Sequence, residues 1–177
     1  MTRTKKICSV SCALSGTAKK LNRGSSCTPY IYSRTGVMDR IKEASYQLIY
    51  HYNTRCPYEL AASLGIEIIE YNFKTIRGVA LTKEGRKYIG VKRDLPEQEK
   101  RAVIAHEIGH LEVHPGSGYF YIHENIGFVL GKQEREAEMF AAALLLDEPP
   151  EPGESVKAYA MRKGVPRKLV ETYYKLR

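Results

Sequence analysis

The sequence predicts an α+β domain, in which a short antiparallel or mixed sheet packs against helices. Residues 66–73 and 79–91 alternate apolar and polar side chains, a pattern typical of half-buried strands. Before and after these stretches, apolar residues recur every three or four positions, which indicates amphipathic helices. Two of the later helices hold clusters of histidine and glutamate, and the functional interpretation depends on them.

Two helices are predicted ahead of the strands. The second of them lies within residues 56–65, where Pro57 suits a first turn and Gly65 can end the helix. The first begins at Val37. Its apolar face is made of Met38, Ile41, Ser45, Leu48 and Tyr52.

The stretch at 79–91 is predicted to form two strands around a turn at Lys83–Arg86. Gly85 in that turn is free to adopt a positive φ angle, which tight hairpin turns need. A helix is then expected to start at residues 94–97, because Asp94 and Glu97 have the spacing of a capping box and Pro96 suits the first turn.

The helix that starts there continues through AVIAHEIGHLEV and is expected to stop at the HPG of residues 114–116. Residues 118–124 could form a strand or a loop. A second strong helical pattern covers residues 132–146. The last pattern covers residues 155–177 and is broken near Gly164–Pro166.

The net charge of +8 comes from the two ends of the chain. Residues 1–37 carry +7 and residues 155–177 carry +6, whereas residues 38–154 carry −5. We therefore expect no direct contact with nucleic acid through the middle of the chain, although the basic C-terminal pattern could touch an acidic partner. No apolar run approaches the ~20 residues of a membrane helix, so a cytoplasmic protein is expected.

Three regions follow from composition. Residues 1–36 are rich in Ser, Lys and Arg and lack acid, which predicts a disordered basic tail, with Met38 as a possible natural start. Residues 37–150 should form the domain, and residues 151–177 a basic helical extension. The four cysteines match no paired zinc motif and are interpreted as free thiols; they are Cys8, Cys12, Cys27 and Cys56.

The stretch AHEIGHLEVH, residues 105–114, is the strongest functional signal. His106 and His110 are four apart on a helix, so both imidazoles face the same way and can bind Zn²⁺. Glu107 is rotated by about 100°, which is too far to join them as a ligand but suits a general base for a water molecule at the metal. Gly109 would let another element approach closely beside the metal.

A catalytic zinc site needs a third protein ligand. His114 is excluded, because three ligands at successive turns of a straight helix span about 12 Å, and we expect it to end the helix. The next helix offers Glu134, Glu136 and Glu138. Glu134 is favoured because it borders the predicted core stripe of that helix, and Glu136 is the alternative. At least one of the three glutamates should lie on an exposed charged face.

The core stripe expected on that helix is apolar. Small Ala137 and Ala141 would let it pack tightly on the histidine helix. The full stripe is Ala137, Phe140, Ala141, Leu144 and Leu145.

AHEIGHLEVHPG followed by EREAEMFAAALLLDEP resembles the ImmA/IrrE family of metallopeptidases, and the resemblance extends upstream to YNTRCPYELAASLGIEI. It implies a small zincin-like domain, in which the HExxH helix packs against a second helix that bears the glutamate ligand. The family pattern places that ligand three residues before an Ala, which is Glu134 here. The family's usual Asn is replaced by Glu138, whose extra charge would alter zinc affinity or the pKa of the bound water.

The resemblance implies a site-specific protease that cleaves a helix-turn-helix repressor in a phage or mobile element. Tyr121 or His123 could stabilise the oxyanion. An alternative is a zinc-bearing module that sequesters a repressor without cutting it. A weaker one is a partial helix-turn-helix at residues 158–175. Nothing in the sequence indicates the oligomeric state.

Overall fold

The computed structural model describes residues 36–114 and 129–176 and shows the predicted α+β fold. A three-stranded sheet packs against helices, and the elements within the described residues follow one another along the chain. They are α1 (Val37–Tyr52), α2 (Pro57–Ser63), β1 (Ile66–Tyr71), β2 (Gly78–Lys83), β3 (Arg86–Lys92), α3 (Glu97–Val113), α4 (Val129–Leu145), α5 (Val156–Lys163) and α6 (Arg167–Leu176).

The sheet is mixed, with strand order β1-β3-β2. The central strand β3 pairs in parallel with β1 and antiparallel with β2. The turn between β2 and β3 lies where the sequence predicts it, and both of its central residues, Glu84 and Gly85, have positive φ angles. Within the described residues β2 is an edge strand, and α3 packs against it.

The predicted capping box at the start of α3 is wrong. The helix begins at Glu97 and its N-cap is Pro96, which has an extended ψ angle of 148° and no side-chain cap hydrogen bond. Asp94 lies two residues before the cap, in a turn closed by the bond from Leu95 N to Lys92 O. Pro96 would have been in the first turn of a helix capped by Asp94, whereas in the structure it is the N-cap and the helix starts later. The C-terminal end is as predicted, since His114 is the C-cap.

Helix α4 forms the centre of the core. Every residue from Glu136 to Leu146 except Glu138 is buried, so the burial extends well beyond the predicted stripe. Arg55, in the connection between α1 and α2, donates hydrogen bonds of 3.1 and 3.0 Å to the carbonyl oxygens of Ala143 and Leu144. These bonds satisfy carbonyls at the end of a helix that has little access to water.

The two C-terminal helices α5 and α6 contribute buried side chains to the same apolar cluster as α4. Much of their basic charge is neutralised within the chain: Arg162 binds Glu148 and Glu154, each at 2.7 Å. This pairing leaves less charge for an acidic partner than the sequence suggests. The chain divisions at residues 36 and 150 stay predictions.

Some expectations lie outside the described residues, including the tail at 1–35, the stretch at 118–124 and three of the cysteines. The cysteine that the structure describes, Cys56, is half-buried at the N-cap of α2, and the interpretation of the four cysteines as free thiols stays a prediction. Within residues 36–114 and 129–176, no helix has both the length and the apolar character needed to cross a bilayer.

Candidate active site

The two histidines of HEIGH lie on the face of α3 that packs against α4. The spacing of four residues places their rings 4.7 Å apart between centroids. Their Nε2 atoms are 3.0 Å apart. His110 is fully buried, whereas the side chain of His106 keeps 17% of its exposure. Two imidazole nitrogens therefore converge on one point, with access from one side.

Glu134 on α4 brings a carboxylate to the same point. Its Oε2 lies 3.1 Å from His106 Nε2, and its Oε1 lies 3.2 Å from His110 Nε2. Ligands held 2.0–2.1 Å from a tetrahedral zinc ion are about 3.3–3.4 Å from one another. The separations of 3.0–3.2 Å come within a few tenths of an ångström of that edge length. The residues thus form a group that could hold a metal ion.

The close approach of α4 to α3 depends on Gly109. A Cβ atom placed on this glycine would lie 3.2 Å from both Cα and the carbonyl oxygen of Ala137, and 3.1 Å from Cβ of Phe140. The neighbouring atoms belong largely to the backbone of α4, so a side chain at Gly109 would push the whole helix away. The predictions that Gly109 lets another element approach closely and that Ala137 lets α4 pack tightly on α3 are confirmed. The same role for Ala141, which is fully buried, stays a prediction.

The electrostatics of the group favour a cation. Burial alone would raise the pKa of Glu134, but hydrogen bonds from His106 and His110 outweigh it and hold the pKa at about 2. Burial lowers the pKa of His110. At His106 burial also lowers the pKa, but the bond to Glu134 and the charges of Glu107 and Glu134 raise it above the usual 6.5.

Glu107 lies on a different side of α3, facing β2, and is 2% exposed. It is not one of the three converging donors. Burial raises the pKa of Glu107 to about 7, although the positive charge of His106 and a hydrogen bond from the backbone of Ala80 act in the opposite direction. A carboxyl group with a pKa near neutrality can both accept and return a proton.

The remaining predicted residues fall into three groups. Glu136, the alternative ligand, points to His114 instead, with Oε2 3.1 Å from Nε2 of that histidine. Glu138 lies near enough to raise the pKa of His106. Tyr121 and His123 lie outside the described residues.

The expectation that one of the three glutamates is exposed is wrong. Glu134 and Glu138 are half-buried and Glu136 is buried, because α4 is enclosed on most sides.

Two contacts at the site were not predicted from the sequence. The pairing of His114 with Glu136 repeats, one turn further along α3, the contact between a histidine of α3 and a glutamate of α4. His114 follows His110 by four residues and Glu136 follows Glu134 by two, so the sequence spacing indicated that a second pair could form. The contact between Glu107 and the backbone of β2 had no signal in side-chain chemistry, since the partner is a main-chain N–H.

Comparison with known proteins gives two matches. Residues 61–152, just over half of the chain, match the model of a peptidase family described as the IrrE N-terminal-like domain. A protein of Bacillus phage phi105 named "Uncharacterized immunity region protein 2" is 37% identical over 107 residues, which cover 60% of this chain and 68% of that protein. The residues matched by the family model include His106, Glu107, His110 and Glu134.

Proposed function

The chain belongs to the peptidase family described as the IrrE N-terminal-like domain, and on that premise we propose that it is a zinc-dependent, site-specific metalloendopeptidase. One observation carries the proposal. Three donor atoms from two helices converge with the spacing of a tetrahedral metal site, and a buried carboxylate lies beside them without joining them. A purely structural zinc site would close its fourth position with a protein ligand and would need no such carboxylate.

In the proposed site, His106, His110 and Glu134 hold the metal and one position stays open for substrate. A zinc ion held there would supply Lewis acidity, which makes water more acidic and polarises a scissile carbonyl group. Glu134 keeps its negative charge at every physiological pH, because its pKa is about 2. The donor set has two neutral imidazoles and one carboxylate, a combination common in zinc hydrolases.

Glu107 acts as the general base. It accepts a proton from the water molecule whose oxygen forms a bond to the carbonyl carbon. It then donates that proton to the amide nitrogen as the C–N bond breaks, which leaves one carboxylic acid and one amine. Its burial excludes bulk water from the carboxylate and raises its pKa, which favours the acceptance of a proton.

The biological role would be control of phage immunity. The similar phage protein carries "immunity region" in its name, and the family resemblance implies that the substrate is a helix-turn-helix repressor. Cleavage of that repressor in the cytoplasm would release the genes it controls. The acidic charge of residues 38–154 suits contact with a DNA-binding protein better than contact with DNA.

A substrate trap tests the proposal. Glu107→Gln should keep zinc but lose the base, and Glu112→Gln is a matched control on the same helix, where Glu112 binds Lys87 at 2.8 Å. Each variant and the wild type would be used to capture proteins from cells that naturally encode the chain, followed by mass spectrometry. We expect a repressor-like protein to be retained intact by Glu107→Gln and recovered cut with wild type and with Glu112→Gln.

The same protein recovered intact with all three chains would contradict proteolysis and favour the sequestering module. Zinc content, measured for each purified variant, separates this outcome from loss of the metal. If Glu107→Gln lost zinc, the assignment of Glu107 as a residue outside the ligand set would be wrong.

A further inference from the structure

Strand β2 comes unusually close to the general base. A Cβ atom placed on Gly78, the first residue of β2, would lie 2.7 Å from Oε1 of Glu107 and 3.2 Å from its Cγ. It would also lie 2.4 Å from Cγ1 of Val103, one turn earlier on α3. Real Cβ atoms do not come that close to other atoms, so the carboxylate of Glu107 occupies space that any other residue at position 78 would need.

The requirement for glycine at this position is one of space. Gly78 does not have a positive φ angle, unlike Gly65 and Gly85, so its backbone conformation is open to any residue. A glycine inside a strand lacks a side chain to pack and weakens the strand, which makes a close approach the physical reason for keeping it. The approaching group here is the side chain of Glu107.

A second contact from β2 reaches the same carboxylate. The backbone of Ala80, two residues along, forms a hydrogen bond with Glu107. Two-residue spacing places Gly78 and Ala80 on the same side of the strand, and within residues 36–114 and 129–176 β2 is an edge strand whose one partner is β3. The N–H group of an edge strand that β3 does not use is free to bind a side chain.

Since β2 is held by its register with β3, the position of the carboxylate is set by the sheet rather than by α3 alone. Gly78 pairs with Val91 and Ala80 pairs with Ile89, and the side chains of both partners are fully buried. The backbone of β2 therefore cannot shift without disturbing the core. A long glutamate side chain on a helix has several rotamers of similar energy, and a fixed backbone beside it can select one.

We propose that β2 is the positioning element for the general base: Gly78 provides the space for the Glu107 carboxylate and the N–H of Ala80 fixes its direction. Gly78 is a positioning residue, and the three atoms nearest to a Cβ there belong to Val103 and Glu107, not to any of the three metal donors. The inference rests on the proposed function, in which Glu107 is the base. It adds that this base depends on a strand outside the HExxH helix.

The test uses two variants that separate packing from positioning. Gly78→Ala alone strains both Val103 and Glu107, so it could lower stability. Adding Val103→Ala removes the 2.4 Å contact with Val103 Cγ1 and leaves the 2.7 Å contact with Glu107. The double variant should therefore recover thermal stability without recovering the position of the carboxylate. Val103→Ala alone reports any effect of the lost valine.

Gly90→Ala is the matched control in the same sheet. A Cβ there would meet the side chains of Phe73 and Val79, each at 3.0 Å, on the opposite face of the sheet. It adds the same methyl group without approaching Glu107.

All variants would be loaded with zinc and compared in zinc affinity, thermal stability and binding of acetohydroxamate. Acetohydroxamate is a small zinc ligand whose hydroxyl group can donate a hydrogen bond to a carboxylate beside the metal. Kinetics would use the protein captured by the Glu107→Gln trap. For Gly78→Ala/Val103→Ala we expect kcat to fall about 10- to 100-fold with KM and zinc affinity nearly unchanged, because small displacements of a reacting group carry such losses. Acetohydroxamate should bind about tenfold more weakly.

Wild-type kcat and acetohydroxamate affinity in the folded double variant would overturn the positioning role. A parallel fall in zinc affinity would also overturn it, since the strand would then support the metal site. Glu107→Gln separates the proposed base from the proposed role of β2. If Glu107→Gln cleaves normally, Glu107 is not the base. If Glu107→Gln is inactive and Gly78→Ala/Val103→Ala is fully active, only the positioning role of β2 is contradicted.

Discussion

Helix α3 is approached closely on two sides, and a glycine sets the distance on each. On the side of α4 the glycine belongs to α3 itself, where a Cβ on Gly109 would meet backbone atoms of Ala137 at 3.2 Å. On the side of the sheet the glycine belongs to β2, where a Cβ on Gly78 would meet Glu107 at 2.7 Å. The first contact brings together the three donors that could hold a metal ion, and the second is proposed to position the carboxylate of the proposed base.

The two contacts differ in what an added side chain would move. At Gly109 the obstacle is the backbone of a helix, so the whole of α4 and its Glu134 would be displaced. At Gly78 the obstacles are side chains of α3, and the donors of the metal site are not among them. Metal affinity and proton transfer should therefore be separable by mutation, although His106, Glu107 and His110 lie on one turn of α3.

The largest effect is expected on the α4 side from Glu134→Ala. Removing a converging donor should lower zinc affinity by more than the 10–100-fold typical of residues around a ligand shell, and activity should be lost with it. Competition with a chromophoric chelator measures the affinity. Glu136→Gln is the control, because Glu136 is a carboxylate on the same helix that binds His114. A greater loss from Glu136→Gln than from Glu134→Ala would show that the wrong glutamate has been assigned.

Gly109→Ala should have the next largest effect. The change gains about 1 kcal/mol of helix propensity, but overpacking against α4 costs about 1–3 kcal/mol. We expect unfolding free energy to change little and zinc affinity to fall about tenfold, because Glu134 moves with α4. Gly131→Ala on α4 is the control, since a Cβ there has no atom within 4 Å. If both variants bind zinc equally well, the Gly109 contact does not position the donors.

Protons should compete with zinc on the α4 side of the helix. Because the pKa of His106 is raised above the usual 6.5, this histidine stays protonated up to a higher pH than a free histidine does. Zinc binding must release that proton, and the apparent affinity should fall about tenfold for each pH unit below the folded pKa. His110 has a lowered pKa and stays neutral to lower pH.

The raised pKa of His106 also makes the stability of the fold depend on pH. A raised histidine pKa stabilises the metal-free fold below pH 6.5, and that contribution is lost as pH rises through the folded value. The increase in melting temperature caused by zinc should therefore grow from acidic to alkaline pH. Calorimetry in buffers of different ionisation enthalpy counts the released protons. Proton release that does not change across this range would contradict the assignment of the raised pKa to His106.

The comparison of the two sides also shows what sequence can predict. The residues on the α4 side could be predicted from the sequence, because helical spacing places His106 and His110 on one face of α3 and fixes the order of the glutamates around α4. The turn at Gly85 and the break at Gly164 were similarly local. Each of these features depends on residues within a few positions of one another, whose geometry is set by the period of the secondary structure.

The contacts on the β2 side could not be predicted from the sequence, because they join a main-chain group to a side chain across 25 or more residues. Gly78 gives no sign by itself of which atom comes near it. The start of α3 was missed for a different reason: DLPE suits a helix start at either Asp94 or Pro96, and local rules do not choose between them. The exposure of α4 was also misjudged, since burial depends on α1, α3 and α6 together.

The smallest effect is expected from Glu138→Asn, which restores the residue usual in the family pattern. Glu138 raises the pKa of His106, so its removal should weaken the attraction for zinc while also weakening the competing proton. At alkaline pH only the first change acts, and we expect zinc affinity to fall by up to about tenfold. At acidic pH the two changes offset each other, so the variant and the wild type should converge. An equal loss at all pH values would mean that the charge of Glu138 acts on the metal alone. Since Glu138 belongs to α4, kcat at saturating zinc should change less in Glu138→Asn than in Gly78→Ala/Val103→Ala. A larger change in kcat would show that the α4 side and the β2 side do not act separately on metal affinity and proton transfer.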